Sequence, residues 1–228
     1  MEAQVQAHGE TLILSPERAA YWEGGKTLFV ADVHLGKAAS FRAWHIPVPG
    51  GTNVENLRRL QSLVDRFHPN CVAILGDLWH AKEGRTDQGL TDFGAWRRDY
   101  DGEVLLVIGN HDRRAGSLPS ELRVREVDEG YPWGPFSLRH DVPSEPETER
   151  YALCGHLHPA VRLDGRGRQS MRLPAFWFAP MVGVLPAFGE FTGTSVVHPG
   201  PEDAVYAVAE GEVVPIQSPR VEEVGHLP

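Results

Sequence analysis

The chain has 228 residues, of which 41% are hydrophobic and 23% charged, and its formal net charge is −9. This composition is typical of a globular protein with a sizeable core, which we expect to form one domain over residues 1–228, and it contains no apolar run long enough to span a membrane. The acidic balance argues against a protein that coats nucleic acid, but it does not exclude a nuclease whose bound divalent ions supply positive charge.

The first half of the chain alternates predicted strands with predicted helices. A short edge strand at 11–14 precedes strands at 27–31, 71–75 and 104–108, which are continuous apolar runs of the kind found in buried parallel sheets. Helical spacing of apolar residues predicts a helix from Thr52 or Asn53, as its cap, to about Phe67, and a second helix covers 92–99. Residues 37–51 are predicted to form a loop. The pattern indicates a parallel βαβαβ unit.

The second half is predicted to be rich in β-strands, with a last strand at 204–209 and a polar tail after residue 218 that is expected to be disordered. Cys71 and Cys154 fall on predicted buried strands, where free thiols are favoured over a disulfide. The N-terminus has neither the basic nor the apolar region of a signal peptide. A soluble, cytoplasmic protein is the expectation.

Residue types that bind metals follow four predicted strands: those at 27–31, 71–75 and 104–108, and a fourth at 151–154 in the second half. The motifs are Asp32-Val33-His34, Gly76-Asp77, Gly109-Asn110-His111-Asp112 and Gly155-His156-Leu157-His158, with a lone His140 before the last. The chemistry of open α/β sheets gathers at the carboxyl ends of their strands, so these side chains are expected at one rim. Core polar residues that merely satisfy one another would not be expected to arrive at strand ends in this order. The sequence therefore predicts a dinuclear metal site.

The donor types fit that prediction. Asp32 and His34 are two residues apart, so their side chains share a face of an extended segment, and His156 and His158 repeat this spacing. The two oxygens of Asp77 can bridge two ions. Mixed nitrogen and oxygen ligands suit manganese, iron or zinc better than magnesium or calcium, and the sequence does not separate the first three.

The order of these motifs resembles that of the calcineurin-like metallophosphoesterase superfamily. The segments Phe29–Lys37, Ser40–Arg42, 46–49, 154–160 and 184–193 resemble the ligase-associated DNA-damage-response endonucleases within it. The resemblance implies an α/β fold, a four-layer αββα sandwich of two mixed β-sheets. It also implies one ion held by Asp32, His34, Asp77 and His158, a second ion held by Asp77, Asn110, His140 and His156, and manganese as the favoured metal.

Further roles rest on the same resemblance. His111 is expected over the leaving group, as general acid or as a stabiliser of transition-state charge, and Asp112 either orients His111 or caps the following turn. His80 is expected to face the substrate phosphate; the alternative is a structural loop histidine.

Loop arginines next to motifs could contact phosphates because of their position, although each alone is more often a solvated charge. They are Arg42, Arg113, Arg114 and Arg166.

The leading functional hypothesis is a metal-dependent phosphodiesterase that cleaves DNA, an endonuclease of DNA repair. The substrate would be DNA, single-stranded or nicked, and a repair ligase and a helicase are partners by resemblance only. A small-molecule phosphodiesterase or pyrophosphohydrolase, acting on cyclic nucleotides or nucleotide sugars, is the alternative because it would share the metal motifs. A non-catalytic scaffold is disfavoured, since every ligand position and His111 are present.

Overall fold

A computed structural model describes residues 1–46, 51–165, 170–190 and 192–216 of the chain. In these residues two sheets pack face to face. The helices are α1 (Lys37–Ala43), α2 (Thr52–Phe67), α3 (Asp87–Asp99) and α4 (Asn110–Ala115), with short 3₁₀ turns at Lys82–Gly84 and Ser120–Leu122.

The first sheet has seven strands that follow one another in chain order. They are β1 (Ala3–Ala7), β2 (Glu10–Ser15), β3 (Ala19–Trp22), β4 (Thr27–Val30), β5 (Cys71–Leu75), β6 (Glu103–Val107) and β7 (Val124–Val127). Strands β1 to β4 pair antiparallel, whereas β4 to β7 pair parallel, with α2 between β4 and β5 and α3 between β5 and β6. The carboxyl ends of β4, β5 and β6 therefore lie at the same edge.

Both faces of the parallel part are buried, which explains the continuous apolar runs. In β5, Val72 and Ile74 pack in the core under the helices, while Ala73 and Leu75 pack in the core between the sheets. Helix α2 contributes Leu57, Leu60, Leu63 and Val64 to the first of these cores, at the spacing of one helix face. A strand buried on both sides cannot show the alternation of a half-exposed strand.

The second sheet has nine strands whose order departs from chain order. They are β8 (Tyr131–Trp133), β9 (Phe136–Leu138), β10 (Tyr151–Cys154), β11 (Pro159–Asp164), β12 (Ser170–Phe178), β13 (Val182–Val184), β14 (Ser195–Val196), β15 (Ala204–Ala209) and β16 (Glu212–Ile216). The path runs β14-β11-β12-β13-β10-β9-β8, and β15 joins β12 to β16. Strand β10 pairs parallel with both β9 and β13, so its carboxyl end can deliver side chains to the rim.

The predicted α/β sandwich of two mixed sheets with flanking helices is confirmed. The strands predicted at 27–31, 71–75, 104–108 and 204–209 are found within one residue of those bounds. Helix α2 ends at Phe67 as predicted, but its N-cap is Gly51, and Asn53 instead accepts a hydrogen bond from the backbone of Gly36 at 2.8 Å. The helices of the described residues all precede Gly116.

Three local predictions were wrong. The strand predicted at an edge, β2, lies between β1 and β3. Helix α3 begins at Asp87 rather than at 92, because the Thr86 side chain accepts the Gly89 N–H and caps an earlier turn. Residues 37–43 form α1 rather than a loop, since three alanines favour a helix there. Residues 47–50 of that predicted loop, and the tail after 218, lie outside the described residues.

Both cysteines are buried and free. None of the helices in the described part of the chain has the length and apolar character that crossing a membrane requires.

Candidate metal centre

Each candidate ligand follows a strand at the shared rim. Asp32 and His34 follow β4, Asp77 follows β5, and Asn110 begins α4 after β6. From the second sheet, His140 follows β9, and His156 and His158 follow β10. Backbone hydrogen bonds join the two sheets at this edge: the Phe188 N–H donates to the Ala31 carbonyl at 2.7 Å, and Gly189 donates to Asp32 at 3.0 Å.

One group of donors consists of Asp32, His34 and His158, whose ligand atoms all lie within 4.8 Å of one another. His158 Nε2 is 3.2 Å from Asp32 Oδ1, and His158 Nδ1 donates to the Gly193 carbonyl at 3.0 Å. That donation fixes the tautomer in which Nε2 carries a free lone pair, as a metal-binding imidazole requires.

A second group consists of Asp77, His140 and His156, again within 4.8 Å. His140 donates from Nδ1 to the Leu75 carbonyl at 3.1 Å, so Nε2, 3.4 Å from Asp77 Oδ2, is the nitrogen that an ion would bind once its proton is displaced. The same Nε2 is 3.0 Å from Asn110 Oδ1 and 3.0 Å from His156 Nδ1. Nitrogen and oxygen atoms from four side chains thus converge on one point.

The electrostatics of the rim are those of a site that needs cations. Burial lowers the pKa of His34 to about 2, which keeps its ring neutral. Burial alone would lower the pKa of His140 too, but the hydrogen bond and charge of Asp77 outweigh it and raise that pKa to about 9. The same histidine helps to hold the pKa of the buried Asp77 below its ordinary value against the effect of burial. In the ion-free protein, a proton therefore balances the Asp77 carboxylate.

The residues fit divalent ions on an observation independent of sequence motifs. Asp32 Oδ1 and His34 Nδ1 are buried and have no hydrogen-bond partner. Buried polar atoms without partners are rare, and here they lie beside further carboxylate and imidazole donors. The first group could hold one ion and the second group another, with Asn110 as an additional oxygen donor.

The backbone at this rim is held in an unusual conformation. Five of the candidate ligands have positive φ without being glycine: Asp32 (53°), His34 (50°), Asp77 (52°), His156 (61°) and His158 (47°). Such residues cost of order 1 kcal/mol or more each and cluster at functional sites, where the surrounding fold imposes them. Here they turn each chain sharply as it leaves its strand.

His111 lies beside the second group. Its backbone N–H donates to Asp77 Oδ1 at 2.9 Å, and its ring Nδ1 contacts the carbonyl oxygen of His80. A carbonyl only accepts, so Nδ1 carries the proton and Nε2 faces Asp77 Oδ2 at 3.9 Å. The side chain is partly exposed, at 28% of its surface.

The Asp112 carboxylate neither orients His111 nor caps the following turn, but caps the start of α4. It is buried and accepts the N–H groups of Trp79 at 3.1 Å and Gly109 at 3.1 Å. Burial raises its pKa to about 6. Within the described residues no hydrogen bond joins it to the His111 ring, and the group that orients this ring is the backbone of His80.

The His80 ring stacks on His111 with centroids 4.8 Å apart, and its Nδ1 is buried without a hydrogen-bond partner. Both rings line one cavity together with Arg114. Of the other loop arginines, Arg42 and Arg113 are exposed, and Arg166 lies outside the described residues.

Sequence reasoning missed two residues near the centre. Lys37 begins α1, and its positive charge tends to lower the pKa of His34, His80 and His158. Burial lowers the pKa of Lys37 itself, and the charge of Asp32 partly offsets this effect. Trp44, just after α1, is exposed beside His80. The signal for both was helical propensity across 37–43, which would have placed them at the two ends of one short helix at the rim.

Known proteins similar to this chain include one family and several solved structures. The family model for calcineurin-like phosphoesterases matches residues 25–164. The crystal structure of Pseudomonas putida nuclease MPE is 36% identical, covers 95% of this chain and 100% of its own, and superposes with a TM-score of 0.82. The E. coli phosphoesterase Yfce is 14% identical over 82% of this chain and 96% of its own, with a TM-score of 0.41. No curated protein matches the chain.

Proposed function

The chain belongs to the calcineurin-like phosphoesterase family, and we propose that it is a dinuclear-metal phosphodiesterase that cuts DNA. The observation that carries the proposal is the convergence of two donor groups, each with a carboxylate and two histidines, at the rim beside His111. Family membership makes the chain a hydrolase of phosphoester bonds. Two divalent ions bound there would activate water and neutralise charge on the phosphate.

The residues around the ions have separable tasks. Asp77 would contribute to both ion sites and also positions His111, since its Oδ1 accepts the His111 N–H. His111 holds its Nδ1 proton against the His80 carbonyl, so a second proton taken up from water can bind only at Nε2, from which it would pass to the leaving oxygen. Asp112 supports both by fixing the turns at Gly109 and Trp79.

A DNA substrate is supported by resemblance over nearly the whole chain. The nuclease from Pseudomonas putida aligns with 95% of this chain at 36% identity. The segments around the motifs resemble those of DNA-repair endonucleases. We propose an endonuclease acting on single-stranded or nicked DNA in repair. The mixed imidazole and carboxylate donors fit manganese, iron and zinc alike, and we propose manganese on the family resemblance.

Nicking assays with defined ions test this function. Purified protein, stripped with chelator and reloaded with Mn²⁺, Fe²⁺, Zn²⁺ or Mg²⁺, is incubated with circular single-stranded DNA, supercoiled plasmid and cyclic nucleotides. We expect nicking of the DNA circles, with Mn²⁺ most effective, and loss of all activity in Asp77→Ala. Turnover of cyclic nucleotides with intact DNA circles would replace the nuclease by the small-molecule phosphodiesterase.

A further inference from the structure

Trp44 is a large aromatic side chain that the fold leaves uncovered. Half of its surface (50%) is exposed, although it lies beside the candidate centre. Its ring centroid is 6.2 Å from that of His80, and His80 in turn stacks on His111. A row of rings therefore leads from the protein surface to His111, the residue proposed to act at the leaving oxygen.

The position of Trp44 is fixed by contacts of the backbone before it. The His80 N–H donates to the Leu35 carbonyl at 3.0 Å, which ties the start of α1 to the His80 segment. Gly36 approaches Gly84 so closely that a Cβ on Gly36 would be 2.0 Å from the Gly84 oxygen. The Trp44 N–H donates to the Ser40 carbonyl at 3.1 Å and ends the helix. These contacts hold the backbone that carries the Trp44 ring beside the His80 segment.

Trp44, His80 and His111 line a common cavity of about 330 Å³, within the range of small-ligand pockets. The other charged side chains around it are Lys82, Arg114 and Glu83. Two cations against one carboxylate make this surface favourable for a polyanion, on a chain whose net charge is −9. A flat aromatic surface with flanking cations suits a nucleobase and the phosphates attached to its sugar.

We propose that Trp44 is a base-stacking platform that holds the nucleobase next to the scissile phosphate, with Lys82 and Arg114 toward the neighbouring backbone phosphates. This inference rests on the proposed function and adds a subsite to it. Stacking of one base on an aromatic side chain changes affinity roughly 5- to 150-fold, which is enough to decide which phosphodiester is held in line. Such a base must be splayed out of any stack to reach the ring.

The dinucleotide thymidylyl-thymidine tests the proposal because it contains a single scissile bond. It is compared with two analogues in which an abasic residue replaces either the 5′ or the 3′ nucleoside. In wild-type protein, removal of one of the two bases should lower kcat/KM by about 5- to 150-fold. In Trp44→Ala the same base removal should leave kcat/KM almost unchanged. In Trp44→Phe base removal should again lower kcat/KM, because phenylalanine restores an aromatic ring. Met171→Ala, an exposed apolar residue on β12, is the matched control and should behave as wild type.

A binding measurement that needs no turnover accompanies the kinetics. The affinity of fluorescein-labelled oligothymidylate is measured on Asp77→Ala protein, which cannot cut it, with and without Trp44→Ala. A weakening of about fivefold or more supports the platform. If wild-type protein did not cleave DNA but binding still depended on Trp44, the proposed function would be wrong while the platform would stand. Base removal that costs the same in wild type and Trp44→Ala, or binding that is indifferent to Trp44, would overturn the platform.

Discussion

Replacing Gly109 by alanine tests the candidate centre through a residue that carries no functional group. Gly109 has φ −82° and ψ 177°, which alanine adopts without strain. A Cβ there would nevertheless be 2.2 Å from Asp77 Oδ1 and 2.7 Å from the Asp77 nitrogen. Real Cβ atoms essentially never come closer than 3.0 Å, so the carboxylate or the turn must move by at least 0.8 Å.

A displacement of this size should greatly reduce the rate of catalysis and only slightly reduce the stability of the fold. Misplacing a reacting group by about 1 Å costs of order 10²-fold in rate, and Asp77 also holds the His111 N–H. We expect Gly109→Ala to lose about 100-fold or more in kcat/KM for DNA nicking and to bind Mn²⁺ more weakly by calorimetry. The melting temperature should fall much less than for a core deletion, because the added methyl meets only the rim.

Gly193→Ala provides the matched control. Gly193 also lies beside the centre, since its carbonyl accepts from His158, but a Cβ there meets nothing within 4 Å. It should keep wild-type metal affinity and activity. If Gly109→Ala kept both as well, the carboxylate of Asp77 would not be held where the structure places it, and the bridging role would fail.

Three further outcomes follow from the same geometry. His111→Ala should retain its ions yet lose about 10²–10⁴-fold on DNA, and less on a nitrophenyl phosphodiester whose leaving group needs no proton; equal losses would leave charge stabilisation as its role. Asp141→Asn should weaken Mn²⁺ binding about tenfold by calorimetry, because Asp141 Oδ1 lies 3.5 Å from His156 Nε2 and orients that ring; an unchanged Kd would contradict this. The pKa of His140 in the ion-free protein is about 9, above the ordinary 6.5. Protonation of His140 therefore stabilises the ion-free fold in full below pH 6.5, and this stabilisation is lost as the pH rises through 9. Ion binding must displace that proton, so Mn²⁺ affinity should rise up to about tenfold per pH unit from 7 to 9, and a flat profile would exclude His140 as a ligand.

The first sheet and its share of the centre were predictable because the signals there are local. Buried parallel strands leave long apolar runs, and Asp32, Asp77 and Asn110 follow such runs directly. Their meeting at one rim follows from parallel pairing alone. In the second sheet the buried strand before His156 and His158 gave the same signal, but the strand that places His140 did not. Strand β9, which places His140, has only three residues, and its neighbours β8 and β10 are an antiparallel and a parallel partner.

The nitrogen that each histidine presents could not be predicted, because it depends on carbonyls distant in sequence. Leu75 is 65 residues from His140 and Gly193 is 35 from His158, yet both carbonyls accept from Nδ1 and so direct Nε2 toward the carboxylates. His111 is oriented in the same way by His80. The ligand identities lie in the motifs, whereas the tautomers are a property of the assembled rim.

The glycines of the motifs show why ligand spacing alone does not specify such a centre. A Cβ on Gly76 would be 2.0 Å from His140 Nδ1, and a Cβ on Gly155 would be 2.7 Å from Asp32 Oδ2. Each glycine precedes one ligand in sequence, but the space it leaves is occupied by a ligand from the opposite sheet. The two sheets can therefore bring their donors within coordination distance only where the residue between them is a glycine, which has no side chain. A chain with the same aspartates and histidines at the same spacing, but with alanine in place of Gly76 and Gly155, would keep the donors and lose the close approach of the two sheets.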